Sequence, residues 1–391
     1  MIQFEEALTI LKSYSIKQKT EHVDLYHALD RILAEDIFSD VAMPPFNKSA
    51  MDGFACRKSD LKNPLVVIEE IPAGTTPSKT IGINQCARIM TGAMVPEGAD
   101  FVVMKEHVET LDADHIRCNR ETSHANICLL GEDVKVGDLV LKSGERILPS
   151  HIAILASVGC SLPLVYLMPS IAIISTGNEL VEPAMKPGSS KIRNSNSYQM
   201  YAQIQQMGIL PTYLGIVRDD QDSLEKVLAS SLQNFNVTLI SGGVSVGDFD
   251  FVPTILSKLG VDIPFHGMDV KPGKHLLFGE KDNHFIFGMP GNPVSSFVQL
   301  EVMVKPFLAG LMGREEENVY CYLPLEEEFV RTKGDQLIFI PALPTGQGTV
   351  IPVEYHGSAH IHSYIHARVI MEIPKGILKI KKGEHVRVRP L

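Results

Sequence analysis

The sequence predicts a multidomain fold, α/β plus β, centred on a doubly wound α/β domain. Three observations lead there. From about residue 168 to 313, short apolar runs alternate with helical segments at the spacing of βαβ units, the pattern of a parallel sheet with helices on both faces. At 64–120 and after about 313, short strand-like runs broken by Gly, Pro and Asn read as β structure. The length of 391 residues, 45% hydrophobic and 21% charged, suits two to four domains at roughly 100–200 residues each. Four pieces follow: an N-terminal part at 1–47 and 131–167, a β-rich inserted domain at 48–130, the α/β domain at 168–313, and a C-terminal β domain at 314–391.

Phe4, Ala7, Leu8, Leu11 and Tyr14 recur at helical spacing and predict a helix over 4–14. Leu29, Ile32 and Leu33 predict a second over 27–35. The segment MPPFNKSAMDGFA (43–55) carries two prolines, an Asn and a Gly, and predicts an ordered loop. LVVIEEI, ARIM, FVVMKEHVE and HIRCN predict strands, 134–148 a return strand and turn, and 150–159 a short helix. SIAIISTG predicts a buried strand. After it come a helix over 197–207, strand TYLGIV, a helix over 221–233, strand VTLIS, a helix over 251–259, a strand near 285–288 and a long helix from Pro293.

The 36 Lys+Arg against 46 Asp+Glu leave a net charge of −10. That balance argues against a non-specific grip on nucleic acid, which needs a positive field; a small anion in a local basic pocket remains compatible with it. No apolar run is read as approaching the roughly 18–20 residues that span a bilayer, and the opening MIQFEEALTILKSYS lacks the basic and apolar regions of a signal peptide. No membrane partner is therefore expected. Six scattered cysteines without C-x-x-C suit a reducing cytosol.

Ligands of open parallel sheets bind beyond the carboxyl ends of the strands. Three unusual segments follow such strands: Thr176-Gly177-Asn178-Glu179, the run from Gly242-Gly243 through Ser245, Gly247 and Asp248 to Asp250, and Met289-Pro290-Gly291-Asn292-Pro293. Glycines expose backbone N–H groups to an oxyanion. Asn292 is placed to cap a helix beginning at Pro293, whose first-turn N–H groups favour an anion. Glu179, Asp219, Asp220, Asp248 and Asp250 supply carboxylates, the hard oxygen ligands that Mg²⁺ shares with phosphate. Lys271 and Lys274, with Arg193 and Arg218, supply positive charge. Singly, each of these residues reads as structural; three loops together read as a site.

Gly242 and Gly247 have P-loop spacing, but Asp248-Phe249 replaces the Lys-Ser/Thr pair. Gly243-Val244-Ser245-Val246-Gly247 matches a nucleophile elbow, yet a helix begun at Ser245 would meet Pro253 in its interior. His356, His360, His362 and His366 form the densest histidine cluster and read as a solvated strand, with His360, His362 and His366 on one face. Glu315–Glu317 reads as a charged interdomain turn.

PPFNKSAMDGFA, RIMTGAMVPEGAD, GEDVKVGD, ISTGNEL, GIVRDD, SGGVSVGDFD, KPGK and GMPGNPVSS, in this order from about residue 5 to 375, resemble the molybdopterin molybdenumtransferase family, the MoeA proteins related to the E domain of gephyrin. The resemblance implies a molybdopterin-binding type of α/β domain, an elongated N-terminal part and a β-barrel-like C-terminal domain. It implies a cytoplasmic transferase of molybdenum cofactor biosynthesis. The enzyme inserts molybdate into adenylylated molybdopterin with Mg²⁺ and releases AMP. It also implies a homodimer with an inter-subunit active site, and an adenylyltransferase and molybdoenzymes as partners.

Carried over motif by motif, the resemblance assigns Asp52, Thr91, Asp133 and Lys271 to catalysis. Glu179, Asp219, Gly242, Gly243, Ser245, Gly247, Asp250, Lys274, Pro290, Gly291 and Asn292 are assigned to substrate, and Asp219, Asp250 and Glu179 also to Mg²⁺. Ser363 resembles a family serine. Two departures stand out. Cys128-Leu129-Leu130 replaces arginines that some relatives carry before GED, so that Lys271, Lys274 or Arg57 would have to compensate. Gly267, beside His266, stands where some relatives carry a lysine. The alternatives are the preceding molybdopterin adenylyltransferase step and a gephyrin-like binding scaffold.

Overall fold

The computed structural model describes residues 1–14, 19–120, 124–244, 250–314, 320–355 and 357–391. Ser245, Gly247, Asp248, His356 and Glu315–Glu317 lie outside them. The chain forms two compact units. One holds His22–Leu29 and Glu35–Pro163; the other holds Met1–Glu21, Asp30–Ala34 and Leu164–Leu391.

Helix α1 (Phe4–Ser13) belongs to the larger unit. Its Phe4, Ala7 and Leu11 are buried, and Gln3 and Glu6 close a capping box at its start. Burying a side chain such as Phe4 or Leu11 contributes about 1.5–3 kcal/mol. The helix expected over 27–35 does not form. Asp30 takes φ = 65°, which a right-handed helix cannot accommodate, and Ile32 and Leu33 are buried on extended backbone, Leu33 bridging to Val165.

In the smaller unit six strands make one sheet: β1 (Gly53–Cys56), β2 (Leu65–Ile71), β3 (Gln85–Ile89), β4 (Phe101–Met104), β5 (Val108–Thr110) and β6 (His115–Cys118), in the order β4-β1-β3-β2-β6-β5. Strand β1 corrects the expected loop over 43–55. Its Ala55 and Cys56 are buried to opposite faces, between partners on β3 and β4. Helix α2 (Pro149–Ser157) follows in the same unit.

The larger unit contains β7 (Ile171–Thr176), α3 (Asn196–Gln205), β8 (Thr212–Val217), α4 (Gln221–Asn234), β9 (Val237–Ser241), α5 (Val252–Lys258), β10 (Asp262–His266), β11 (Val270–Lys271), β12 (Leu277–Lys281), β13 (His284–Met289) and α6 (Pro293–Leu311). The sheet order is β8-β7-β9-β13-β12-β10. The first four strands are parallel, as the βαβ pattern predicts. The other two are antiparallel, which corrects the expectation of a parallel sheet. Asp282 and Asn283, at φ of 53° and 63°, make the tight hairpin that reverses the chain between β12 and β13. Helix α5 starts at Val252 with Pro253 in its first turn, where proline is tolerated.

Helix α6 has 19 residues and a mean hydropathy of 1.3, enough by length and composition to cross a membrane. This corrects the reading that no apolar run approaches that size. Here 67% of its apolar window is buried, with Val294, Val298, Phe307 and Leu308 in the same core as β9 and β13. The C-terminal strands β14 (Cys321–Pro324), β15 (Leu337–Pro344), β16 (Val350–Pro352), β17 (Val369–Ile373) and β18 (His385–Pro390) form a second sheet. Its order is β11-β15-β17-β18-β14, with β16 on β15. The β11 segment thus leaves the α/β sheet and pairs Val270 with Leu337 and Lys271 with Ile338. Residues Ile361–Tyr364 form a 3₁₀ turn, not the strand on which His360, His362 and His366 were expected to share a face.

Candidate functional site

The parallel register sets the site. Ser175 of β7 lies opposite Ser241 of β9, and Ser241 opposite Met289 of β13. Thr176 of β7 lies opposite Val217 of β8. Four strands therefore end level, and the turns that follow them open on one edge of the sheet. A cavity of about 800 Å³ lies there. Glu179, Asp219, Gly242, Gly243, Asp250, Lys271, Lys274, Pro290, Gly291 and Asn292 all line it. Ser245 and Gly247 fall outside the described residues.

Neighbouring carboxylates divide the work locally. Asp220 caps α4, its Oδ1 accepting from Ser223 N–H at 2.9 Å. Asp219 instead lines the cavity, where its Oδ1 accepts from Thr176 Oγ1–H at 3.2 Å. Burial raises the Asp219 pKa, and the charges of Glu179, Asp250 and Asp220 add to the rise. Three carboxylates, Glu179, Asp219 and Asp250, thus share a wall with two ammonium groups, Lys271 and Lys274. No three His, Cys, Asp or Glu side chains among the described residues are arranged to hold a metal by themselves. The expected triad is not a preformed cage. It fits a cation such as Mg²⁺, which takes only one or two protein carboxylates and completes its shell with phosphate and water.

Asn292 occupies the residue before α6, but its side chain does not cap the helix. Its Nδ2 donates to Ser358 Oγ at 3.0 Å, and Val294 N–H donates to Ser358 O at 3.0 Å. Ser358 thereby uses one of the first-turn N–H groups expected to face an anion. Arg193 is engaged locally, its Nε donating to the carbonyls of Pro183 and Met185. Neither Arg193 nor Arg218 lines the cavity, so among the described residues its side-chain cations are the two lysines. Ser363 turns its hydroxyl to His360 O at 2.8 Å and does not line the cavity.

Residues that the motifs did not single out for this wall include Ile192, His275, Gln336 and Ser358. His275 directly follows KPGK and was within reach of the motif; Gln336 and Ser358 are brought in by the C-terminal sheet and carry no local signal. Burial, then Lys274 and His266, lower the His275 pKa, which favours a neutral imidazole at pH 7. At Gly242, φ is +94° and a Cβ would stand 2.2 Å from Thr176 O. Gly242→Ala is expected to displace this turn and cut turnover by about 100-fold or more; wild-type turnover in a steady-state assay would contradict the placement.

The smaller unit carries the other expected residues. Asp52 Oδ1 accepts from Thr91 N–H at 2.8 Å and from Thr91 Oγ1–H at 2.7 Å, and Lys105 Nζ lies 3.3 Å from Oδ2. Those donors, Thr91 N–H first, lower the Asp52 pKa to about 2. The pair forms because the segments around Ser49 and Met90–Ala93 run side by side: Gly92 N–H donates to Ser49 O, and Ser49 N–H to Ala93 O. Asp133 is exposed, its N–H donating to Met43 O at 3.0 Å. Arg57 lies 3.8 Å from Asp60 in an ion pair.

Comparison with known proteins adds the following. Residues 2–159 match the family described as MoeA N-terminal region (domain I and II), and residues 172–310 match the probable molybdopterin binding domain. The molybdopterin molybdenumtransferase of Staphylococcus epidermidis is 36% identical over 408 aligned residues, covering 99% of this chain and 95% of that protein. That of Bacillus subtilis is 34% identical, with 99% and 93% covered. The crystal structure of the molybdopterin biosynthesis protein moeA from Pyrococcus horikoshii superposes with a TM-score of 0.83 at 30% identity, covering 100% of each chain.

Proposed function

The chain belongs to the molybdopterin molybdenumtransferase (MoeA) family, and on that premise we propose that it transfers molybdenum from molybdate to adenylylated molybdopterin and releases AMP. The observation that carries this reading is the cavity where glycine turns, two lysines and three carboxylates meet. Both substrates are anions, and the walls answer each part of them. The backbone N–H of Gly243 is offered to phosphate oxygens, while that of Gly242 donates to Met289 O at 3.4 Å. Pro290, Gly291 and Asn292 shape the wall at the start of α6. Lys271 and Lys274 neutralise molybdate and phosphate charge. One or two of the carboxylates Glu179, Asp219 and Asp250 would hold Mg²⁺, which when bound stabilises the charge passing to AMP as it leaves. Asp52, Thr91 and Asp133 orient the reacting end of the pterin.

The same proposal takes the protein as a cytoplasmic homodimer, with Asp52, Thr91 and Asp133 supplied to each cavity by the partner subunit. An adenylyltransferase delivers the substrate, and molybdoenzymes receive the product. Purified protein given adenylylated molybdopterin, molybdate and Mg²⁺ is expected to release AMP and to yield cofactor that activates a cofactor-free molybdoenzyme. AMP release no faster than in an enzyme-free control, under conditions where a relative turns over, rejects the function.

A further inference from the structure

We propose that Gln299 of α6 is a positioning residue for the two cavity lysines, tying the turn that carries them to the helix whose start forms another wall of the same cavity. The inference rests on the reading of that cavity as a molybdenum-transfer site. Gln299 is fully buried and does not itself line the cavity. Its Nε2 donates to Pro272 O at 2.8 Å. Pro272 and Gly273 are buried, while Lys271 and Lys274 on either side are exposed and line the cavity.

The packing is as specific as the hydrogen bond. Gly273 has φ = +100°, and a Cβ there would stand 2.3 Å from Gln299 Cγ. The amide side chain therefore fills the space that a side chain on the turn would need.

Other ties of the turn run elsewhere: Lys274 O accepts from Met268 N–H at 2.8 Å, and Asp269 N–H donates to Ile2 O at 2.9 Å. Val270 and Lys271 pair with Leu337 and Ile338 of β15. Asp269 accepts from Gln336 Nε2 at 3.0 Å and pairs with Lys375 at 2.7 Å. The contacts with Gln336, Leu337, Ile338 and Lys375 fix the turn to the C-terminal sheet. Gln299 supplies the tie to α6, whose first-turn Ser295, with Gly291 and Asn292 just before the helix, lines the cavity.

Helix α6 is itself held one step further along. Glu301 accepts from Gln203 Nε2 of α3 at 2.6 Å, while its ion pair with Lys305 lies within α6 itself. One helix therefore spans from the phosphate-facing turn to the lysine turn, and Gln299 sets their spacing.

Gln299→Met keeps the volume and removes the donor. The experiment measures, for wild type and variant, the melting temperature, the Kd of AMP by calorimetry, and kcat and KM for molybdate from AMP release. A positioning role predicts that the molybdate KM and the AMP Kd each rise about 10-fold or more, with kcat within about threefold. A packing role alone would lower the melting temperature and leave KM and Kd unmoved; that result overturns the proposal. If Gln299→Met does not fold, Gln299→Leu likewise removes the donor and is an apolar side chain that a buried site accepts. The same rises are expected of it, and wild-type KM and Kd in it overturn the proposal equally. A wild-type protein that binds AMP but never turns over rejects the molybdenum-transfer reading, while the AMP Kd of the variants still decides the role of Gln299.

Discussion

Asp52→Ala is expected to lower AMP release by about 10²–10³-fold, the usual loss when a group that orients or stabilises the reacting centre is removed. The melting temperature should fall only modestly, because the Thr91 and Lys105 contacts are lost but Asp52 is partly exposed and the strand beside it is held by the backbone. Co-expression with Asp250→Ala protein is the sharper experiment. If each cavity takes Asp52 from one subunit and Asp250 from the other, random pairing makes half the dimers mixed, each with one intact site. About a quarter of wild-type activity should return. No recovery in dimers verified as mixed would place both residues in the same subunit's site.

Asp52 also makes a statement about pH. Its folded pKa, about 2, lies below the ordinary 3.8. A depressed carboxylate contributes stability that is fully present above the unfolded value and is lost as pH falls through the folded one. Asp52 therefore stays ionised at every pH where the enzyme is assayed. Any acid limb of the activity profile above pH 5 must belong to another group, and Asp52→Asn activity measured across pH 5–8 should show a constant fractional loss.

Asp219→Asn is expected to cut turnover by about 10–100-fold or more while raising the melting temperature of the metal-free protein. The sign follows from the opposite shift. Burial and the charges of Glu179, Asp250 and Asp220 raise the Asp219 pKa, so between the unfolded and folded values the native state binds the extra proton and stability falls as pH rises. Above that window the ionised carboxylate is a standing cost, which an uncharged amide removes. The stabilisation should be present at pH 7, shrink as pH is lowered toward 4, and reverse when saturating Mg²⁺ and AMP are added, because only the carboxylate gains from the cation. Thermal melts with and without those ligands decide it; a variant less stable than wild type in the metal-free state at pH 7 would mean that Asp219 serves the fold.

Much of the α/β unit was legible in the chain. The 4, 7, 11 spacing foretold α1, and helices α3 and α4 formed within two residues of expectation. Local patterns failed where a segment's partners lie far away. Leu29, Ile32 and Leu33 have helical spacing, but Asp30 turns the chain and Leu33 is buried by Val165. Residues 53–56 look like part of a loop until β3 and β4 flank them. Asn292 stands where a cap should, but Ser358 O takes the first-turn Val294 N–H instead.

The sequence by itself determined what each strand end carries: glycines that free the backbone, carboxylates after β7 and β8, lysines in KPGK, and a proline that starts α6. Tertiary structure alone decided that they meet. Four parallel strands in register bring their ends level, β11 joins the distant Leu337–Ile338 segment, and Gln299 fastens the lysine turn to α6. Propensity and turn chemistry act over a few neighbouring residues. Register, and the burial that enforces it, arises only when segments far apart in the chain are packed together.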